Sequence, residues 1–371
     1  MSRQQEPPGL GHFVQETHRE VLASSGMPQG FSELSLNMST PISILDLAII
    51  RPGSTAAVSY KESVEVAQHA EKLGFKGVWY AEHHNMSTIA SSATSVLMCH
   101  VANHTSTIEV GAGGIMLPNH SPLVIAEQFG TLEELFPGRI NLGLGRAPGS
   151  DQATFRALRR EFAAADAFPN DVVELQGYLS GNSVIKGVDA TPGKGTNVPI
   201  TILGSSLFGA QLAAQLGLPY SFASHFAPDA LMQAIQVYKE QFRPSETLQE
   251  PHVTAAINII AADTDEKAFE ILEESKRQRI RQMLGRNRAE PFTDDEVDMI
   301  MESPAGQQVL RMLTYMAAGT GARVKEYLDH FIAATGVNEL ITVHSAIEHS
   351  DRLRSLEITA EAMGLQTPAQ R

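Results

Sequence analysis

The sequence predicts an α/β protein, a closed (β/α)8 TIM barrel, on three observations. Short apolar stretches recur along the chain with no alternating polar face, which is how a parallel strand covered on both sides reads. Each is followed by apolar residues at three- and four-residue spacing, the mark of a helix packed on the sheet. The strand–helix unit then repeats eight times with no second core in evidence. Such right-handed repetition gives either an open doubly wound sheet or a closed barrel, and the count of eight favours the barrel. In a barrel the site lies at the C-terminal strand ends, where this chain places its unusual residues.

The elements follow in order. Residues 1–40 read as a loosely packed extension: Glu6-Pro7-Pro8-Gly9 is loop-like, and Met38 stands just before the first strand as a functional start. Residues 41–371 are expected to form a single barrel domain. Ile42–Ile50 is the first strand, stopped by Pro52-Gly53, and Ala57, Tyr60, Val64, Ala67 and Ala70 mark its helix, closed at Gly74. Val78–Ala81, Ile108–Ile115 and Ile140–Leu144 are the next three strands. Ser121-Pro122 opens the helix after the third strand, and Pro137-Gly138 stops it. A surface excursion rich in Gly, Asn, Thr, Lys and Pro spans 181–197. Pro199–Leu203, Tyr220–Ala223 and Val253–Ala261 follow as strands five to seven. Thr264-Asp265-Glu266 is a strong helix start. Residues 285–318 read as a polar, Met-bearing helical insertion, and Leu340–Val343 is the eighth strand.

Composition narrows the function. With 371 residues, 43% hydrophobic and 19% charged, the chain has the make-up of a globular protein with a large core. A net charge of −14 argues against nucleic acid or an anionic membrane surface as partner, though not against a local anion pocket. Cys99 is the single cysteine, so an internal disulfide and a cysteine-based zinc site are both excluded, and a reducing cytoplasm is the plain expectation. No apolar run approaches the roughly 18–20 residues of a membrane span. The N-terminus has no basic-then-apolar secretory pattern.

Chemistry concentrates in four stretches. Glu82-His83-His84-Asn85 follows the second strand, and an imidazole there can move a proton near neutral pH. Adjacent strand residues face opposite ways, so one of His83 and His84 is expected in the site. Gly111-Ala112-Gly113-Gly114 ends the third strand; its glycines imply either a bulge or a flat group lying on bare backbone. Gly143-Leu144-Gly145-Arg146-Ala147-Pro148-Gly149 has the wrong spacing for a dinucleotide fingerprint, and Arg146 can bind an anion or form an ordinary ion pair. Gly204-Ser205-Ser206-Leu207-Phe208-Gly209 joins the fifth strand to its helix. Its serines can cap the helix and also seat a phosphate at the positive helix end. His120, His225 and His344 lie beyond three other strands, without a metal-binding spacing.

These stretches resemble the bacterial luciferase-like flavin-dependent monooxygenases. The resemblance is carried by Ala81-Glu82-His83-His84-Asn85-Met86, Val110–Pro118, Ala126-Glu127-Gln128-Phe129 and Gly138–Arg146. Phe222-Ala223-Ser224-His225-Phe226 is similar to the branch of unassigned substrate. The resemblance covers about residues 42–363. It implies a barrel that binds FMN non-covalently and uses the reduced form as co-substrate with O2, oxygenating a small organic substrate through a C4a-hydroperoxyflavin. A separate flavin reductase and a homodimer are implied as partners. By the same resemblance His83 is the catalytic base, with His84 its neighbour. Gly113-Gly114 is the place of a non-proline cis peptide under the flavin ring. Arg146 contacts the flavin, and Ser205 and Ser206 match the pair at its phosphate, Ser206 the better of the two; Gly209, at the end of the same stretch, is expected to bind the cofactor with them. Glycine at 145 and serine at 205 replace luciferase's cysteine and glutamate, which argues against light emission. Three readings compete: a deazaflavin F420-dependent oxidoreductase on the same fold, a metal-dependent barrel hydrolase using the scattered histidines, and a non-catalytic flavin store or binding scaffold.

Overall fold

The structure is a computed structural model that describes residues 40–147, 152–285, 288 and 290–367. The expected N-terminal extension, up to residue 39, and Pro148-Gly149 of the fourth motif lie outside the described residues. Among the described residues nine strands run in chain order: β1 (Ile42–Asp46), β2 (Gly77–Tyr80), β3 (Glu109–Met116), β4 (Ile140–Gly145), β5 (Ile200–Gly204), β6 (Tyr220–Phe222), β7 (Val253–Ala261), β8 (Met316–Gly319) and β9 (Glu339–His344). β1 to β7 pair in sequence, β7 pairs with β9, and β9 returns to β1, all in parallel. That closes a barrel of eight strands, with helices in its strand connections as the pattern predicts. No described helix is long and apolar enough to cross a membrane.

Two sequence expectations need correction. The first strand stops at Asp46 rather than Ile50. The fully buried Asp46 carboxylate accepts the Ala48 N–H at 2.9 Å, Ala48 takes a positive φ of 48°, and the chain leaves the sheet there. The insertion at 285–318 is not wholly helical: its end forms β8. β7 has nine residues and β6 only three, so β6 pairs just Val253–Ala255. The backbone groups farther along that edge need partners, and Met316-Ala317-Ala318-Gly319 supplies them to Asn258–Ala261. The strand expected as the eighth is therefore β9. The rest of the insertion contains the helices Asp294–Glu302, opened by a Thr293/Glu296 capping box, and Pro304–Arg311.

The core divides by side-chain parity. Val78 and Tyr80 on β2, Val110 and Ala112 on β3, and Ala255, Ile257 and Ile259 on β7 point outward into the large strand–helix core. Leu45, Trp79, Ala81, Ala256 and Ile341 form a smaller cluster with the opposite parity, filling the barrel itself. The residues after the strands sit on top of that inner cluster.

Candidate active site

At the end of β2 the chain Glu82-His83-His84 divides its side chains between two environments. Glu82, 1% exposed, is a hub. Its Oε1 accepts from His84 Nε2 at 2.7 Å and from Asn119 Nδ2 at 3.1 Å, and Oε2 accepts the Met116 N–H at 2.9 Å. His120 Nε2 lies 2.9 Å from both carboxylate oxygens. Burial alone would raise this carboxyl, but the hydrogen bonds from His120 and His84 win and hold it down at about 2. The same contact raises His84, against a smaller opposing effect of burial. His84 is therefore committed to Glu82.

His83 lies apart from that network. Burial lowers its pKa, with His84 adding to the effect and Glu82 opposing it, so the ring is neutral at pH 7. Its Nδ1 is buried without a hydrogen-bond partner, while its backbone N–H is tied to Ser91 O at 3.2 Å. His225, just past β6, has the same character. Burial pushes it down to about 3, with the charges of Arg279 and His83 acting in the same direction, and its Nδ1 also lacks a partner. Asn258, completely buried on β7, donates to the His225 carbonyl at 2.8 Å and so fixes this loop.

The glycine corner on β3 serves two purposes at once. A side chain at Gly111 would sit 2.7 Å from the Trp79 ring, so the indole lies flat where that side chain would be. The register with β4 also shifts between Ala112 and Ile115, so the strand is irregular there. At Gly114 an added Cβ would meet Leu203 at 2.4 Å and the Gly143 carbonyl at 2.6 Å. This close approach of β3, β4 and β5 needs glycine. The Gly113–Gly114 peptide bond is cis, as the resemblance implied. The Gly114 carbonyl accepts the Glu82 N–H at 3.1 Å, which joins the corner to the histidine loop.

Arg146 leaves the end of β4 and packs on the next unit. Its guanidinium carbon is 4.2 Å from the Phe208 ring centre, its Nε donates to Ala165 O at 3.1 Å, and the exposed Asp166 lies 3.5 Å from its terminal nitrogen. This carries Arg146 to the first turn of the helix Leu207–Leu216, which Ser205 and Ser206 precede in the chain. Both serines are exposed. Ser206 occupies the N-cap position, yet its hydroxyl makes no capping hydrogen bond. The expected cap is thus present in backbone only, and the hydroxyl and the helix's first N–H groups stay available. Gly209 is buried where the helix touches the strand end, its Cβ position 3.3 Å from the Gly204 Cα and from the Tyr220 ring. β2 and β5 are three strand spacings apart, about 14 Å along the wall.

His344 does not join this site. Its Nδ1 is 2.8 Å from Ser355 Oγ and its Nε2 3.2 Å from Thr342 Oγ1, so both nitrogens are engaged inside the wall. Among the described residues no three His, Cys, Asp or Glu side chains gather as a metal site. A surface depression of about 410 Å³ is lined by Ala262, Asp263, Arg354 and Ile358 and includes none of these groups. Sequence reasoning passed over Glu82 and His120 as partners, although three polar residues in a row after a strand hinted at a shared hub. It missed Arg279 entirely.

Comparison with known proteins agrees with this fold. The sequence model of the luciferase-like monooxygenases matches residues 40–357. The uncharacterized protein YvbT of Bacillus subtilis (strain 168) is 46% identical over 325 residues, covering 87% of this chain and 96% of its own. A luciferase-like monooxygenase of Escherichia coli (strain K12) is 44% identical over 320 residues, covering 86% and 96%. The crystal structure of apo-MsnO8 superposes with a TM-score of 0.79 at 31% identity, over 88% of this chain and 99% of its own. Two more distant barrels share the fold alone, each at 17% identity. The oxygenating constituent of 3,6-diketocamphane monooxygenase, in complex with FMN, has a TM-score of 0.68 over 89% of this chain and 100% of its own. An F420-dependent secondary alcohol dehydrogenase has 0.66 over 88% and 99%.

Proposed function

The chain belongs to the luciferase-like monooxygenase family, and from that premise we propose that it oxygenates a small organic substrate with O2 and FMN, the flavin arriving already reduced from a separate reductase. Family membership makes it an oxidoreductase that incorporates molecular oxygen. The observation that carries the finer reading is His83: a buried, neutral imidazole at the barrel mouth with an unpartnered Nδ1. A buried polar atom without a partner is costly, and a bound molecule that offers or takes a proton at Nδ1 accounts for it.

The residues present suit a flavin mononucleotide. Ser206, with its hydroxyl uncommitted at a helix start, and Arg146 next to it would hold the single phosphate. The Gly113-Gly114 corner lies on β3, between β2 with its histidine loop and β4 with Arg146, so a flat ring reaching from one to the other would pass over it. When bound, reduced flavin supplies the electrons that activate O2. The protein's part is to seat the flavin, keep water out, and let His83 Nδ1 accept or return a proton. Glu82 contributes by holding His84 and His120 away from that atom. The deazaflavin F420 is the second reading, since barrels of this fold use it. The acidic chain gives less support to its long anionic tail than to one phosphate.

Anaerobic titration of the protein with reduced FMN and with reduced F420 tests this directly. FMN is expected to saturate and F420 is not. Absence of FMN binding in either redox state would overturn the proposal. Saturation by F420 alone would replace it with the hydride-transfer reading.

A further inference from the structure

The helix Asp265–Leu284 does not lie where an ordinary barrel helix lies. On β7, Ala255, Ile257, Ile259 and Ala261 face the outer core, and Ala256 faces the barrel interior. Ile260 and Ala262 share the parity of Ala256, and they pack against Ala268 and Ile271 of this helix. Its first turn is tied to the end of β8, where Asp265 Oδ1 accepts the Thr320 N–H at 2.8 Å. Its middle is tied to the chain just past β9, where Ser275 Oγ donates to Ser345 O at 3.1 Å. The helix therefore crosses the inward face of β7 at the C-terminal mouth. Arg279 follows Ser275 by four residues and Ile271 by eight, which puts it on the same inward stripe.

Other cations of this helix are matched. Lys267 pairs with Glu270 at 3.3 Å, Lys276 with Glu273 at 2.6 Å, Arg277 with Asp298 and Arg281 with Asp294. Arg279, half-buried, makes no ion pair and no hydrogen bond among the described residues. Burial lowers its pKa, and its charge is close enough to depress His225, which in turn feels His83. A half-buried guanidinium with no counter-ion among the described residues is destabilised by its partial loss of water unless a bound group supplies one. Glu82, the buried carboxylate of this mouth, is already saturated by His84, His120, Asn119 and Met116.

We propose that Arg279 is a substrate-anchoring residue, its guanidinium receiving the carboxylate of an anionic substrate at the roof of the pocket lined by His83 and His225. The two-pronged guanidinium suits a carboxylate. The phosphate seat at Arg146 and Ser206 belongs to β4 and β5, so the two anion-binding positions are separate. This assignment deepens the preceding reading and rests on the barrel mouth being the oxygenation site.

The single tryptophan reports on the pocket, because Trp79 is 7% exposed within the inner cluster. Octanoate, benzoate and phenylacetate, each beside its neutral amide, would be titrated against the purified protein by Trp79 fluorescence. At least one carboxylate is expected to bind roughly tenfold tighter than its amide. Arg279→Gln should abolish that preference and Arg279→Lys should keep part of it, with the melting temperature unchanged or raised. The proposal is overturned if no carboxylate saturates up to about 50 mM, if Arg279→Gln keeps the preference, or if its loss comes with a lowered melting temperature. Neither flavin nor O2 enters this titration. Its failure leaves the flavin reading standing, and a failure to bind flavin leaves the anion preference intact.

Discussion

At the N-terminal rim of the barrel, Glu339 at the start of β9 accepts from Ser43 Oγ at 2.8 Å and from Lys76 Nζ at 2.6 Å, with His252 at 3.8 Å. Glu109 at the start of β3 accepts from Asn141 Nδ2 at 2.9 Å. Each of these contacts joins the beginnings of different strands. At the C-terminal rim, His83 Nδ1, His225 Nδ1 and Asn258 Oδ1 are buried with no partner, and Ser205 and Ser206 present free hydroxyls. The barrel thus pairs polar groups of its strand starts with one another and leaves several unmet at its strand ends. Each unmet buried group costs about 1–3 kcal/mol, so the second end is stable only because the first end and the core carry it. Unmet polarity at the strand C-termini is what a binding mouth looks like before its ligand arrives.

The sharpest way to break this contrast is His83→Ala. If the upper rim serves chemistry rather than folding, turnover should fall by about 10²–10⁴-fold, the usual worth of a positioned acid or base. Flavin affinity and melting temperature should barely move. Steady-state oxygenation, a flavin titration and a thermal melt measure the three quantities. Full activity in the variant would remove His83 from the mechanism, and a large drop in melting temperature would erase the distinction between the rims.

Glu82 tests the contrast from inside, since it lies at the upper rim but is wired like the lower one. Its folded pKa of about 2 lies below the ordinary 4.5. A depressed carboxyl stabilises the fold above its unfolded pKa, and that contribution is lost as pH falls toward the folded value. Wild type should therefore lose ~3 kcal/mol relative to Glu82→Gln between pH 4.5 and 2. Urea unfolding at stepped pH reads this difference. A constant gap between the two proteins would show that Glu82 is not held ionised by its imidazole partners.

At the lower rim, Glu339→Ala strands Lys76 and unpairs Ser43. The expected loss is about 2–3 kcal/mol of stability, seen in urea or heat, while FMN affinity stays unchanged. Weakened flavin binding without loss of stability would show that the two ends are coupled.

How much of this was readable beforehand follows from the same physics. The eight barrel strands were legible because burial on both faces forces continuous apolar runs such as Val253–Ala261. β8 was not, since Met316-Ala317-Ala318-Gly319 has no β-branched residue and is a strand only because the upper edge of β7 needs partners. The glycines of β3 announced a special backbone, but what fills the space is Trp79, a neighbour on another strand. His83 and His84 were visible as a pair. Their division of labour was not, because it depends on His120 and Asn119 arriving from the far side of β3. Arg279 stayed hidden among the paired cations of its helix, as only the fold shows that its face turns inward.

The smallest expected effect compares two helix starts. Thr264 Oγ1 accepts the Lys267 N–H at 3.2 Å, a working cap, whereas Ser206 holds the same position without that bond. Thr264→Ala should cost ~1 kcal/mol of stability and leave FMN affinity alone. Ser206→Ala should leave stability alone and weaken FMN by roughly three- to tenfold, about 1 kcal/mol of binding. Thermal melts and flavin titrations on both variants give four numbers, and the proposal requires the two large ones to lie on opposite proteins. If Ser206→Ala lowers the melting temperature as Thr264→Ala does, its hydroxyl is a cap in solution and the phosphate seat loses its main support.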